Sequence, residues 1–172
     1  MTTYCDPAVV SIKGKEIEGE KVAVDALLVM LRAAQSDGLK NWQISACYRS
    51  VAYQKKLFDN KVYEYRKQGK SGSQARAATR KTIAEPGCSE HHLGLAFDIT
   101  VPGTSFGSTP QAAWLKEHCW EYGFILRYAE DKTKITGITN EPWHFRYVGT
   151  DHSLIMRDEN LCLEEYVEKY GT

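Results

Sequence analysis

Apolar positions recur with a helical period near the start of the chain. Within residues 20–36, Val24, Leu27, Leu28, Leu31 and Ala34 follow the i, i+3, i+4, i+7 rule, and Gly38 supplies a stop. Residues 42–47 (WQISAC) alternate instead and predict a strand, preceded by a short strand at 8–12. Ser50 is placed to cap a second helix over 51–68, with Leu57 and Phe58 on its apolar face. Gly69-Lys70-Ser71-Gly72 reads as a turn, and Ser73 as the cap of a third helix over about 74–84 that Pro86-Gly87 breaks. Residues 95–101 (LAFDITV) alternate like a half-buried strand. Thr109-Pro110 opens a helix that runs to about Tyr122, where Gly123 ends it. Residues 124–128 (FILRY) and 143–148 (WHFRYV) read as strands, the polar segment 129–141 as a loop, and about 161–170 as a last helix. Helices lead, strands cluster in the second half, and few strand–helix–strand crossovers are visible. The pattern predicts an α+β fold with a small antiparallel sheet flanked by helices.

A length of 172 residues supports one domain, 1–172, with a real core. Hydrophobic residues at 42% and charged residues at 26% exclude general disorder. Lys plus Arg and Asp plus Glu are 22 each, and a formal charge of zero argues against nucleic acid as a partner. The longest apolar stretch, residues 22–31, is interrupted by Asp25 and is short of the roughly 20 residues of a membrane helix, so no transmembrane segment is expected in this chain. MTTYCDPAVV lacks the basic and apolar regions of a leader peptide. The chain is therefore expected to be cytoplasmic, or the soluble part of something longer whose leader or anchor lies outside this sequence. Five cysteines, Cys5, Cys47, Cys88, Cys119 and Cys162, cannot all pair in one monomer and form no C-x-x-C; free, mostly buried thiols are expected. Cys88, close to His91 and His92, is the one to test for reactivity.

The chemistry is concentrated in residues 86–98, PGCSEHHLGLAFD. By strand parity Leu95, Phe97 and Ile99 share a core face, while Gly94, Ala96 and Asp98 share the other. Two minimal side chains beside a carboxylate predict room for a ligand there. His91 precedes Gly94, so a loop can bend it back over that face. A second piece, Glu141-Pro142-Trp143-His144, places a histidine on an alternating run and a glutamate at the strand mouth. Two histidines and an aspartate are a donor set that zinc accepts, with a fourth position left for water, and a nearby glutamate suits a general base. Two core histidines and a capping aspartate would share the same spacing, so the spacing leaves both readings open.

The string S-x-H-x-x-G-x-A-x-D at Ser89, His91, Gly94, Ala96 and Asp98, followed by E-x-W-H at Glu141, Trp143 and His144, resembles the zinc D-alanyl-D-alanine peptidases of the VanY/VanX group. These include VanY-type D,D-carboxypeptidases and VanXY-type dipeptidase/carboxypeptidases. Residues 122–128, 135–138 and 141–149 are similar to that group almost without gaps, as are Tyr48-Arg49-Ser50, Gln54 and Leu57-Phe58. The resemblance spans about residues 20–170 and implies the D,D-peptidase fold that Hedgehog-type domains share. It implies one Zn2+ held by His91, Asp98 and His144, with Glu141 as base and Arg49 facing the developing oxyanion. Ser89, Gln54 and Trp143 are expected on the substrate side. The implied activity is release of the terminal D-alanine from peptidoglycan stem peptides or their precursors, in the cell envelope, with a contribution to glycopeptide resistance. The alternatives are a bifunctional VanXY-like enzyme in the cytoplasm, an L,D-carboxypeptidase, and a non-catalytic zinc- or wall-binding module. The long helical segment 59–84 looks more like the VanY type, and retention of Glu141 and Arg49 argues against the module.

The remaining polar residues are given structural roles. His92, His118 and His152 are expected to be structural, Glu90 a solvated loop charge, and Arg127 and Arg146 members of sheet-face ion pairs. Trp143 and Tyr147 are expected either in the core or along a cleft.

Overall fold

The computed structural model describes residues 2–4, 6–13 and 17–171; Cys5 lies outside them. Strands β1 (Thr2–Tyr4) and β3 (Ile17–Gly19) pair antiparallel as a separate ribbon. The main sheet has the order β2–β4–β5–β7–β6, built from β2 (Ser11–Ile12), β4 (Gln43–Ala46), β5 (Ala96–Thr100), β6 (Phe124–Leu126) and β7 (His144–Tyr147). All neighbours are antiparallel except β2 and β4. The expected antiparallel sheet is thus mixed. A parallel pair needs a long crossover, and helix α1 (Lys21–Ser36) lies within the connection.

The apolar stripe of α1, including Val24, Leu27, Leu28 and Leu31, is buried in one cluster with Ile44, Phe97, Ile99, Phe124 and Phe145 from the sheet. These side chains turn one face of the sheet into the core. Strand parity then sends Asp98 and His144 to the opposite face.

Helix α2 (Val51–Lys67) is capped as expected, with the Ser50 hydroxyl accepting from the Tyr53 amide. Helix α3 (Gly72–Arg80) starts two residues before the expected place. Ser71 stands three residues before Gln74, so the two close a reciprocal capping box that Ser73 cannot form. The helix ends at Arg80, and Thr82, Ile83 and Ala84 leave it to line a cleft. Thr109 caps helix α4 (Pro110–His118), whose last turn, 119–122, tightens to 3-10 geometry. Gly123 stops it at φ +80, where a Cβ would lie 2.8 Å from the Tyr147 ring.

The expected loop 129–141 contains a short helix, α5 (Thr133–Thr136). Helix α6 (Thr150–Asp158) was not expected; it buries only Ser153 and Met156 and so shows no apolar period, while α7 (Leu163–Tyr170) falls within the expected last helix. No helix among the described residues is long and apolar enough to cross a membrane.

Candidate active site

The register of β5 and β7 makes Asp98 and His144 direct cross-strand partners. His91 reaches them from a 3-10 turn over Glu90–Leu93, opened by the Ser89 hydroxyl and closed by Gly94 in the left-handed region at φ +67. That turn is tied to the segment after β4 by three contacts. The Arg49 amide donates to the His91 carbonyl at 3.1 Å, and the His91 and His92 Nδ1 atoms lie 2.6 Å from the Cys47 and Arg49 carbonyls.

Small residues near Asp98 do not make the expected room for a ligand. Gly94 lies before β5 begins, and a Cβ there would meet the Glu20 amide nitrogen at 3.0 Å. Its smallness admits the neighbouring backbone, whose Glu20 amide donates to the Gly94 carbonyl. Ala96 is fully buried. Neither lines the cleft.

Three donor atoms converge at the floor of a cleft of about 200 Å3. His91 Nε2 lies 3.4 Å and His144 Nδ1 3.1 Å from Asp98 Oδ1. Ligands about 2.0–2.2 Å from a tetrahedral zinc stand about 3.3–3.5 Å from each other, so this triad has the right spacing for such an ion. Each candidate ligand's other polar atom is already engaged. His91 Nδ1 faces the Cys47 carbonyl, His144 Nε2 faces Glu90 Oε2 at 3.4 Å, and Asp98 Oδ2 accepts from Arg49 Nη2 at 2.6 Å. Those partners put the ring protons on the far nitrogens and leave the near lone pairs for a metal. Among the described residues, the buried side-chain atoms without a hydrogen-bond partner are His91 Nε2, Asp98 Oδ1 and Gln54 Oε1. All three residues line this cleft. The donor set, spacing and bare atoms together fit a divalent ion.

Burial disfavours charge on all these groups, and their neighbours decide the outcome. His91 is driven down by burial and is neutral, the form that ligates. Burial pushes His144 the same way, but the carboxylates of Asp98 and Glu90 raise it to about 9, so without a metal it keeps a proton. Asp98 is held well below the carboxylate range: the two imidazoles outweigh burial. Glu141, whose Oε2 lies 3.7 Å from His144 Nδ1, is raised by burial to about 7. Glu90 is lowered to about 2 because His144 and Arg127 overcome its desolvation.

Arg49, Gln54, Ser89, Glu141 and Trp143, each singled out in the sequence, all line the same cleft. Gln54 is buried and donates to the Ala84 carbonyl at 2.9 Å, which leaves its own carbonyl oxygen bare. Trp143 is partly exposed at the rim. Glu90 is not a solvated loop charge. It is inside the site, 2.7 Å from Arg127 Nε and 3.7 Å from Arg146 Nη1. Arg127 adds two bonds to Glu164 on α7, at 2.9 and 2.6 Å. The Tyr128 ring packs on His144 and lines the cleft, a role the strand pattern did not assign. The signal for Glu90 was Arg127, a cation in a half-apolar run that needs a carboxylate partner.

The other histidines take structural contacts: His92 also accepts from the Gly87 amide, His118 contacts Glu121, and His152 contacts the Tyr166 hydroxyl. Of the described cysteines, Cys119 and Cys162 are buried, Cys47 is half-buried and Cys88 is exposed.

Comparison with known proteins gives a consistent result. The family model described as VanY, D-alanyl-D-alanine carboxypeptidase, matches residues 16–150. A D-alanyl-D-alanine carboxypeptidase of Enterococcus faecalis is 43% identical over 135 residues, 78% of this chain and 50% of that protein. The chain thus spans about half the length of that curated relative. The structure of VanYB in complex with D-alanine-D-alanine superposes with a TM-score of 0.85 at 36% identity, covering 98% of this chain and 89% of the other. The vancomycin resistance D,D-pentapeptidase VanY in complex with Zn(II) gives a TM-score of 0.80 at 40% identity, covering 90% and 85%. Sequence and fold agree over most of the chain, and the chain belongs to the VanY D-alanyl-D-alanine carboxypeptidase family.

Proposed function

We propose that this chain is a single-domain zinc D,D-carboxypeptidase that removes the terminal D-alanine from peptidoglycan stem peptides or precursors ending in D-Ala-D-Ala. The observation that carries the reading is the convergence of His91 Nε2, His144 Nδ1 and Asp98 Oδ1, two of them buried without a hydrogen-bond partner. These residues hold one Zn2+. The bound ion polarises the scissile carbonyl and acidifies water.

The chain's own groups do the rest. Glu141, with a pKa near the working pH, takes a proton from the attacking water and returns it to the leaving amine. Arg49 fixes Asp98 through one nitrogen and turns the rest of its guanidinium to the oxyanion, where removal of one such donor costs about 100–1000-fold. Ser89 and the bare Gln54 carbonyl orient the peptide end, and Trp143 walls the cleft mouth. A small terminal residue suits a cleft of about 200 Å3. This reading assigns the enzyme to the cell envelope, with the cytoplasm as the alternative, and its trimming of D-alanine to a contribution to glycopeptide resistance.

The test is D-alanine release by zinc-loaded protein from free D-Ala-D-Ala, from a muramyl pentapeptide and from a tetrapeptide. Release from the pentapeptide alone supports the reading. Release from dipeptide as well makes the enzyme bifunctional and cytoplasmic, and release from the tetrapeptide alone makes it an L,D-carboxypeptidase. No release with zinc bound leaves a binding module.

A further inference from the structure

The zero net charge conceals a segregation. Residues 51–84 carry nine Lys and Arg against two Asp and Glu, a net charge of +7, and the rest of the chain carries −7. This stretch is the α2–α3 hairpin with the residues that follow it. All nine cations except Lys61 are exposed. Lys55 pairs with Asp59, Lys61 with Glu64, and Arg76 and Arg80 share Glu85. Lys56, Arg66, Lys67, Lys70 and Lys81 have no carboxylate partner among the described residues; Lys67 and Lys70 lie only over the Tyr63 and Tyr65 rings. Beside them runs an open groove lined by Tyr65, Gln68, Lys70, Gln74, Lys81 and Thr139. Thr82 borders both this groove and the cleft of the candidate active site.

We propose that the α2–α3 hairpin is a docking arm for a linear, phosphate-bearing polymer that lies beside the cleft. Five unneutralised cations are an electrostatic footprint for a polyanion. Their spread selects a long ligand: Lys56 and Lys67 alone are about 16 Å apart along α2 at 1.5 Å per residue, beyond the reach of one or two carboxylates on a short peptide. The groove adds the Gln68 and Gln74 amides and the Tyr65 hydroxyl, donors that match phosphate and hydroxyl oxygens. A membrane surface is the weaker fit. Helices that lie in an interface insert large apolar side chains, whereas the hairpin exposes only Val51, Tyr53 and Tyr63, the first two on the opening turn of α2. The inference does not depend on the catalytic reading, because binding is measured without turnover.

The experiment is binding of long-chain inorganic polyphosphate to the whole chain at 50 and 200 mM salt. Five phosphate contacts at a slope of about −0.7 per contact predict affinity falling by roughly 100-fold over that range. The triple variant Arg66→Glu, Lys67→Glu, Lys70→Glu should bind at least about 10-fold more weakly at 50 mM salt and flatten the slope, with unchanged circular dichroism. A second variant, Arg66→Lys, Lys67→Arg, Lys70→Arg, should bind like the parent. Binding that ignores salt, or a triple variant that binds like the parent, overturns the proposal. So does tripolyphosphate binding as tightly as the long polymer, which would make this a small-anion site. Tighter capture by anionic phosphatidylglycerol vesicles, or by a mixed-sequence oligonucleotide at equal phosphate, would replace the polymer with a membrane or a nucleic acid.

Discussion

Replacing Glu90 by alanine tests whether the groups behind the proposed metal ligands set the affinity for the ion. In the parent, Glu90 Oε2 faces His144 Nε2 at 3.4 Å, while Oε1 holds Arg127 Nε at 2.7 Å. The variant frees the ring of His144 to rotate and removes the acceptor that directs its proton to Nε2. Loss of such a contact behind a metal-ligating histidine weakens metal binding by about 10–100-fold, or about 1.4–2.8 kcal/mol at 1.4 kcal/mol per factor of ten. The stability effect is separable. Arg127 is nearly buried but keeps two bonds to Glu164, so the cost is expected at about 1–3 kcal/mol rather than that of a fully abandoned buried charge. Zinc affinity is read by competition with a chromophoric chelator and stability by urea unfolding of the metal-free protein. Glu90→Gln keeps an acceptor for the imidazole proton and should recover most of the affinity. Glu164→Gln loosens Arg127 without touching His144; it should lower stability and leave affinity within about threefold. If Glu90→Ala folds cooperatively and binds zinc as tightly as the parent, Glu90 does not position His144.

Four further outcomes are expected. At pH 7 His144, raised to about 9, carries a proton that a metal must displace, and Glu141 near 7 is half protonated. Calorimetry in buffers of different ionisation enthalpy should therefore show about one to one and a half protons released per metal; zero would mean that His144 is already neutral. Glu141→Gln should keep zinc and lose about 100–10,000-fold in kcat on a D-Ala-D-Ala peptide. In the metal-free parent, Glu141 binds its proton more tightly folded than unfolded, so stability should fall as pH rises from about 4.5 to about 7 by up to roughly 3 kcal/mol. The Gln variant should lack that slope, and an unchanged slope would refute the assignment. Gly94→Ala places a Cβ 3.0 Å from the Glu20 amide nitrogen at φ +67 and should cost about 1–3 kcal/mol in urea unfolding with a matching loss of zinc affinity, since Gly94 closes the His91 turn.

Local pattern carried the elements whose signals are local. The stripe of α1, the Ser50 and Thr109 caps and the alternation of β5 and β7 were all legible, because one apolar face or one capping oxygen suffices to define each, although β5 is buried on both faces. The Ser71–Gln74 box shows the limit: two serines stand two residues apart, and only the reciprocal glutamine decides between them. Strand register is non-local, so the pairing of Asp98 with His144 was available only through the motif resemblance. Glu90 failed for the same reason, since its partners are 37 and 54 residues away. Gly94 and Ala96 were read as space for a ligand because a sequence shows small side chains but not what fills the gap beside them. The balanced charge misled through averaging: opposite excesses on the hairpin and on the rest of the chain cancel in the sum.

The site also shows where its preorganisation comes from. The three candidate metal-facing atoms, two of them bare, are held in place because each residue's opposite atom is fixed by a separate piece of the fold. Cys47 follows β4, Arg49 precedes the Ser50 cap of α2, and Glu90 is braced by Arg127 and, through it, by Glu164 on α7. The His91 turn cannot relax toward solvent without breaking its contacts to the Cys47 and Arg49 carbonyls. Two buried polar atoms are therefore held unpaired in the metal-free protein, each at a cost of about 1–3 kcal/mol. A bound ion removes that penalty in the folded state alone, so metal affinity and fold stability are linked through the same outer contacts. A substitution in any of them acts on the ion without touching it. The hinge of this coupling is the β5–β7 register, because a one-residue slip would send Asp98 or His144 to the apolar face packed on α1.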